Sequence, residues 1–175
     1  MRFVDLLRSA VLLSAAAATM LAVLTVLVAD SRQDDVLALG AAGWWLAALL
    51  IGGWAGRRPV VNAAIARTLR EARVATSLPE LRAGRVLVNR LWPLLLVTIA
   101  AAGVGLVLPQ VPAIATGFGI LSALSWRRQE SAVTAIEERD GVVFYVAPSS
   151  PLQPVRLVRA PGFRRDLPVR PDGAA

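Results

Sequence analysis

The fold class this sequence predicts is an all-α integral membrane protein. It is a four-helix transmembrane bundle with both termini cytoplasmic, plus a small cytoplasmic β-hairpin and an extended tail. Three observations predict it. The 175 residues are 56% hydrophobic with a mean hydropathy of +0.59, too apolar for an ordinary soluble domain of this size. Four apolar runs, 10–29, 36–55, 91–108 and 111–126, hold no Asp, Glu, Lys, Arg or His. Of nineteen basic residues, all arginine, eighteen fall where alternating spans place one face: Arg2 and Arg8, eight from Arg57 to Arg90, and eight from Arg127 to Arg170. Only Arg32 lies opposite, among Asp30, Asp34 and Asp35. Basic bias decides which loops stay inside, so both termini and the central loop are expected in the cytoplasm.

The first two runs match the ~20 residues that cross a ~30 Å hydrocarbon core as helix. The first is too long for the core of a cleavable leader and ends on the bulky pair Leu27-Val28, so it is expected to remain as a span. The third and fourth runs have 18 and 16 residues, and the fourth is expected to continue as helix past Trp126 as far as Ala135, where no Gly or Pro stops it. Trp54, Trp92 and Trp126 each end a span beside arginine, as indoles do at the headgroup layer. Trp44 and Trp45 lie deeper, where packing between helices explains them.

The chain divides at residue 135. Residues 1–135 form the membrane region, with a basic helical loop at 57–90; residues 136–175 form the hairpin and a tail rich in Pro and Arg. Within 61–76, a 100° step places Val61, Ile65, Leu69 and Ala72 on one face and Arg67, Arg70 and Arg73 on the other. This describes an amphipathic helix lying on anionic headgroups, or a solvated helix covering the end of the bundle. Ser77 and Glu80 form a capping box with Pro79 in the first turn, so a second helix should start there, carry Arg82 and Arg85 on a polar stripe, and enter the third span near Pro93.

Past the spans, residues 136–139 and 142–146 flank Asp140-Gly141, a pair suited to a type I′ turn, and so predict a hairpin. A lone hairpin is marginal in water, which leaves residues 155–159 to supply a third strand, or a partner to pair with the edge near Phe144. Pro148, Pro151 and Pro154 recur every third residue, the repeat of a polyproline II linker or docking segment. Residues 162–168 lack periodicity and are expected to be disordered in isolation.

The absent residue types exclude several function classes. Without Cys or His there is no thiolate nucleophile and no cysteine or histidine metal ligand, and no phosphate-binding or dinucleotide motif is present. The chain is therefore read as non-enzymatic, with no cofactor and no metal. Ion-coupled carriers need titratable groups at membrane depth, and these spans have none, so an exporter of the small multidrug type is disfavoured. The net charge of +7 follows from topology, with little of the aromatic interleaving a nucleic-acid surface would carry. Small residues four apart (Ala10, Ser14, Ala18 and Ala22; Gly52 and Gly56; Ala115 and Gly119) suit close helix packing, within one protomer or between copies.

The sequence reading of function is a structural, accessory or assembly subunit of a membrane complex, contacting anionic lipid and a protein partner at its cytoplasmic face. The contact residues it selects are Arg67, Arg70, Arg73, Arg82, Arg85, Phe144, Pro148, Pro151 and Pro154. Lysine is absent and Ala, Val, Leu and Arg are abundant, as in a high-GC bacterium, which places the complex in a bacterial plasma membrane. The alternative is an oligomeric pore or transporter lined by Ser14, Thr19, Thr25, Thr98, Thr116, Ser122 and Ser125.

Overall fold

A computed structural model describes residues 1–55, 61–74, 83–147 and 155–161. The described elements are α1 (Phe3–Arg32), α2 (Asp35–Ala55), α3 (Ala63–Arg70), β1 (Arg73–Val74), α4 (Ala83–Gly105), α5 (Gln110–Asp140), β2 (Val142–Val146) and β3 (Leu157–Pro161). Helices α1, α2 and α4 are each long and apolar enough to cross a membrane. The apolar half of α5 is diluted by Gln110, Pro112 and Thr116 near its start.

Helix α1 runs unbroken because Ala and Leu dominate it and neither Gly nor Pro occurs between Phe3 and Arg32. It stops where Gln33 turns left-handed at φ 52°, its N–H bonding back to the carbonyls of Ala29 and Asp30. One residue later the Asp34 carboxylate accepts the Leu37 N–H at 2.9 Å, which starts α2. Two of the three aspartates near this turn thus serve it, Asp34 as this cap and Asp30 by accepting Gln33 Nε2 at 3.0 Å through its carbonyl. Arg32 donates to the Leu106 carbonyl at 3.1 Å and so ties the α1 end to the α4–α5 connection.

The helices pack chiefly around α1 and α5, which lie antiparallel. Phe3 of α1 shares a buried cluster with Val133 of α5, while Ala29 shares another with Ala113, at the opposite ends of both helices. Between the clusters the seam of α1 is narrow and made mostly of small residues: Ala10, Ser14, Ala18 and Thr25, with the larger Leu21, are buried at three- and four-residue steps. A Cβ added at Gly119 would lie 3.0 Å from that of Ala18, so α1 and α5 approach as small-residue packing predicts. Outward faces are left bare, with Leu39, Ile99 and Val107 between 71% and 76% exposed. Exposed apolar area on this scale belongs against lipid or protein rather than water.

The two deep tryptophans explain themselves in this packing. Trp44 Nε1 donates to the Ile114 carbonyl at 3.2 Å, and Trp45 Nε1 to that of Ala113 at 2.9 Å, pinning α2 to the first turns of α5. The Trp44 ring meets Phe118 edge-on at 5.7 Å and occupies the space where a side chain on Gly117 would be. Gly117→Ala should therefore expel the indole and break its bond to Ile114. The expected cost is about 1–3 kcal/mol, typical of overpacking, read as lower thermal stability in detergent with a shifted tryptophan emission. Unchanged stability and emission would refute this account of the deep tryptophans.

Two expectations at the sheet need correction. Residues 136–139 are not a strand: α5 continues to Asp140, and Gly141, at φ 62°, is its left-handed C-cap. Asp140-Gly141 ends a helix instead of turning a hairpin, because Gly at a left-handed position serves either end equally well. Strand β2 pairs instead with β3, antiparallel from Val142↔Pro161 to Val146↔Leu157, and β1 joins the other side of β3 in parallel. The sheet order is β1-β3-β2. The helix expected over 61–76 is also shorter, ending at Arg70, with Arg73 already in β1.

Candidate functional site at the sheet end

Four parts of the chain build one module at the arginine-rich end. The start of α1, helix α3 with β1, the start of α4, and the C-terminal part of α5 with β2 and β3 enclose Phe3, Leu6, Leu7, Val86, Val133, Val142, Phe144, Val146 and Leu157. Val133 and Val146 are almost completely buried, which marks the centre. Ile65, Leu69 and Ala72 pack against this cluster. The apolar face of α3 is thus turned toward protein, which matches the helix-covering reading of this segment rather than insertion into lipid.

Polar groups fix the joints. The Glu137 carboxylate is 95% shielded and has both oxygens engaged: Oε2 accepts from Arg2 at 3.0 Å and Oε1 from the backbone N–H of Phe144 at 2.9 Å. One side chain thereby holds the end of α5, the chain before α1 and the middle of β2. Gln129, two turns earlier on the same face and also buried, accepts the Asn62 N–H at 2.9 Å and anchors the start of α3. The free edge of β2 is met by Arg2, bridged to Tyr145, while the Val146 N–H donates to the Met1 carbonyl at 3.1 Å. The edge near Phe144, expected to await a partner strand, is therefore already used by this chain.

The sequence-selected residues scatter over this module. Arg67, Arg70 and Arg85 are exposed, as are Arg139, Arg156 and Arg159. Arg67 is engaged with Glu71 at 2.8 Å, an exposed pair one helical turn apart that contributes little. Arg139 sits beside Asp140, and its guanidinium holds that carboxyl below the usual carboxylate range. Phe144 is only 4% exposed and belongs to the core, so it offers a partner no surface. Arg73 lies in β1, while Arg82, Pro148, Pro151 and Pro154 fall outside the described residues.

Arg2, Gln129 and Glu137, which organise the module, escaped the sequence reading. Gln129, Val133 and Glu137 follow at four-residue spacing, the helical signal that could have exposed them, but the Asp-Gly pair drew residues 136–139 into a strand. Among the described residues no group of three or more metal-capable side chains occurs. Both Glu137 oxygens are engaged within the module, which carries exposed arginines on its surface. Comparison with protein-family models, characterised proteins and solved structures finds no match to this chain.

Along the apolar helices, the hydroxyls of the alternative pore reading are largely committed. Thr19, Thr25, Thr98 and Thr116 each donate to the carbonyl four residues earlier, at 2.8–3.0 Å. Ser14 differs: its Oγ is buried and is the unpartnered side-chain polar atom of the described interior.

Proposed function

We propose that this chain is a four-span protein of a bacterial plasma membrane and a non-enzymatic structural or assembly subunit of a larger complex, meeting its partner and anionic lipid through a basic cytoplasmic module. The observation that carries the reading is the convergence of the N-terminus, the α3 segment and the β3 segment in one core. Segments that touch lie on one side of the bilayer, so an even number of crossings must separate them. Two lie between the N-terminus and α3, made by α1 and α2. Between α3 and β3, α4 crosses outward, and α5, which starts beside Ala29 and Leu37 and ends at the sheet, is the only described element that can return. That supports a fourth crossing through α5 despite its shorter apolar half. Eighteen of nineteen arginines then lie on the module's side, which by the basic bias is the inside.

A subunit reading suits a module whose β2 edge is met by its own N-terminus and whose outer surface is arginine-rich. The pore alternative loses support from the threonines, whose hydroxyls are spent on their own backbone.

The native chain has no cysteine, so Ser31→Cys, Ser77→Cys and Ser150→Cys can be labelled singly in intact cells. Only Ser31→Cys is expected to react with an impermeant thiol reagent, while all three react after permeabilisation. External labelling at Ser77→Cys or Ser150→Cys would reverse the topology and remove the basis for a cytoplasmic docking face.

A further inference from the structure

Helix register fixes the level of the tryptophans that end the apolar runs. Trp44 of α2 meets Gly117 of α5 and Gly52 meets Leu124, so these helices run parallel and Trp54 lies level with Trp126. Helix α4 runs antiparallel to α5, with Gly105 against Pro112 at one end and Val86 sharing a core with Val133 at the other. That pairing sets Trp92 level with residues 125–127. Three indoles from three helices thus share one plane, as they do at a headgroup layer.

Two arginines stand just beyond that plane on a common flank. The Ala18–Gly119 contact of antiparallel α1 and α5 sets Arg8 level with residue 129, beside Arg127. Both lie within three residues of the Trp126 level, about 4.5 Å at 1.5 Å per residue. Arg8 is nine residues from Ala17, and Arg127 is nine from Phe118; at a helical step of about 100° that is the opposite side of each helix. Ala17 and Phe118 line the groove facing α4, so both arginines lie on the flank away from α4, just past the end of α2. Both are exposed, and among the described residues neither enters an ion pair. The carboxylates of Asp5 and Glu130 come three residues farther from the plane.

Helix α3, whose arginines the sequence assigned to lipid, is placed differently. Its start is bonded to Gln129. It leads into β1, in the same sheet as Phe144, whose N–H is held by Glu137, eight residues farther along α5 than Gln129. The segment therefore climbs by about 12 Å, which puts Arg67 and Arg70 roughly 10–15 Å beyond the tryptophan plane. With a Debye length of about 8 Å, the field of headgroup charges has fallen below about a third there, against more than about half at Arg8 and Arg127.

We propose that Arg8 and Arg127 jointly hold the phosphate of an anionic phospholipid of the cytoplasmic leaflet, just past the end of α2. The proposal rests on the membrane reading above. Guanidinium forks match phosphate oxygens, and two of them outweigh the charge of one phosphodiester. Asp5 and Glu130 oppose a second phosphate farther out.

The test is native mass spectrometry of the full chain in mild detergent, titrated with phosphatidylglycerol or with zwitterionic phosphatidylcholine. Native protein should bind phosphatidylglycerol in preference. Arg8→Gln with Arg127→Gln should weaken that binding about fivefold for each arginine removed, whereas Arg67→Gln with Arg70→Gln should leave it within about twofold. An interfacial double variant that binds like native protein, or an equal loss in the α3 variant, would overturn the site. Inorganic phosphate at millimolar concentration that abolishes the preference would reassign the pair to a free anion and refute the lipid. Should amide exchange across Val142–Val146 show the double variant unfolded, Arg127→Gln alone decides. Alkaline carbonate extraction of the same membranes separates the two failures: a protein that washes out sinks the membrane reading, while one that stays embedded without headgroup preference sinks only this proposal.

Discussion

Ending the chain at Ala147 should dissolve the sheet, while ending it after Pro161 should leave it intact. Strand β3 is the central strand, flanked by β1 and β2, and it buries Leu157 and Ala160. Losing Leu157 alone forfeits about 1.5–3 kcal/mol of burial. Without β3, moreover, the strand pairing left to β2 is the short contact with Met1 and Arg2, and isolated strand pairs are marginal in water. Phe144, Val146, Phe3 and Leu7 would then lose a shared wall, so the whole module should loosen. Amide hydrogen exchange across Val142–Val146 should change from protected to fast in the shorter chain and remain slow in the longer one. The α1–α5 seam lies away from the sheet, so membrane insertion should survive both truncations. Persistent β2 protection in the chain ending at Ala147 would show that β3 does not hold the module.

That outcome also changes how a partner must be sought. The sequence reading put Phe144 at an edge open to a partner and Pro148, Pro151 and Pro154 in a linker or docking segment. With β3 central and Phe144 buried, truncation after Ala147 or a charge at Phe144 would disturb the module itself and confuse unfolding with lost contact. Charge reversal at exposed Arg85 or Arg156 leaves the core untouched and is the cleaner probe of docking.

The helical part of the fold was legible because apolar length and unbroken helix formers are local properties. The runs at 10–29 and 36–55 lie inside α1 and α2, and the continuation past Trp126 is real, extending to Asp140. Trp44 and Trp45 were also readable as packing residues from their depth alone. What misled was local ambiguity. Asp-Gly suits a type I′ turn and a helix C-cap alike, and only the four-residue spacing of Gln129, Val133 and Glu137 favours the helix. The sheet order depends on contacts between residues 73 and 158 or 2 and 145, for which a single sequence carries no signal. The spacing could place Glu137 on a buried helix face, but not its bonds, which join two partners remote from its own helical turn.

Glu137 should accordingly be the most sensitive polar position in the module. Glu137→Leu removes the acceptor of a buried backbone donor, the Phe144 N–H, which should cost about 1–3 kcal/mol. Glu137→Gln keeps a carbonyl oxygen for that donor and loses only the charge. Since the Arg2 side chain is 50% exposed, the ion pair contributes about 0–1 kcal/mol, and the Gln variant should fall by no more than that. Arg2→Ala is the informative third member, because it strands a carboxylate that is 5% exposed and leaves it only the Phe144 amide. It should destabilise more than Glu137→Gln does, and Glu137→Gln placed on the Arg2→Ala background should restore part of the loss. Denaturant unfolding of the four proteins in one detergent gives the coupling directly. Additive losses would mean that Arg2 and Glu137 act separately, and a Glu137→Leu protein as stable as the native one would remove Glu137 from its place at the joint of α1, α5 and β2.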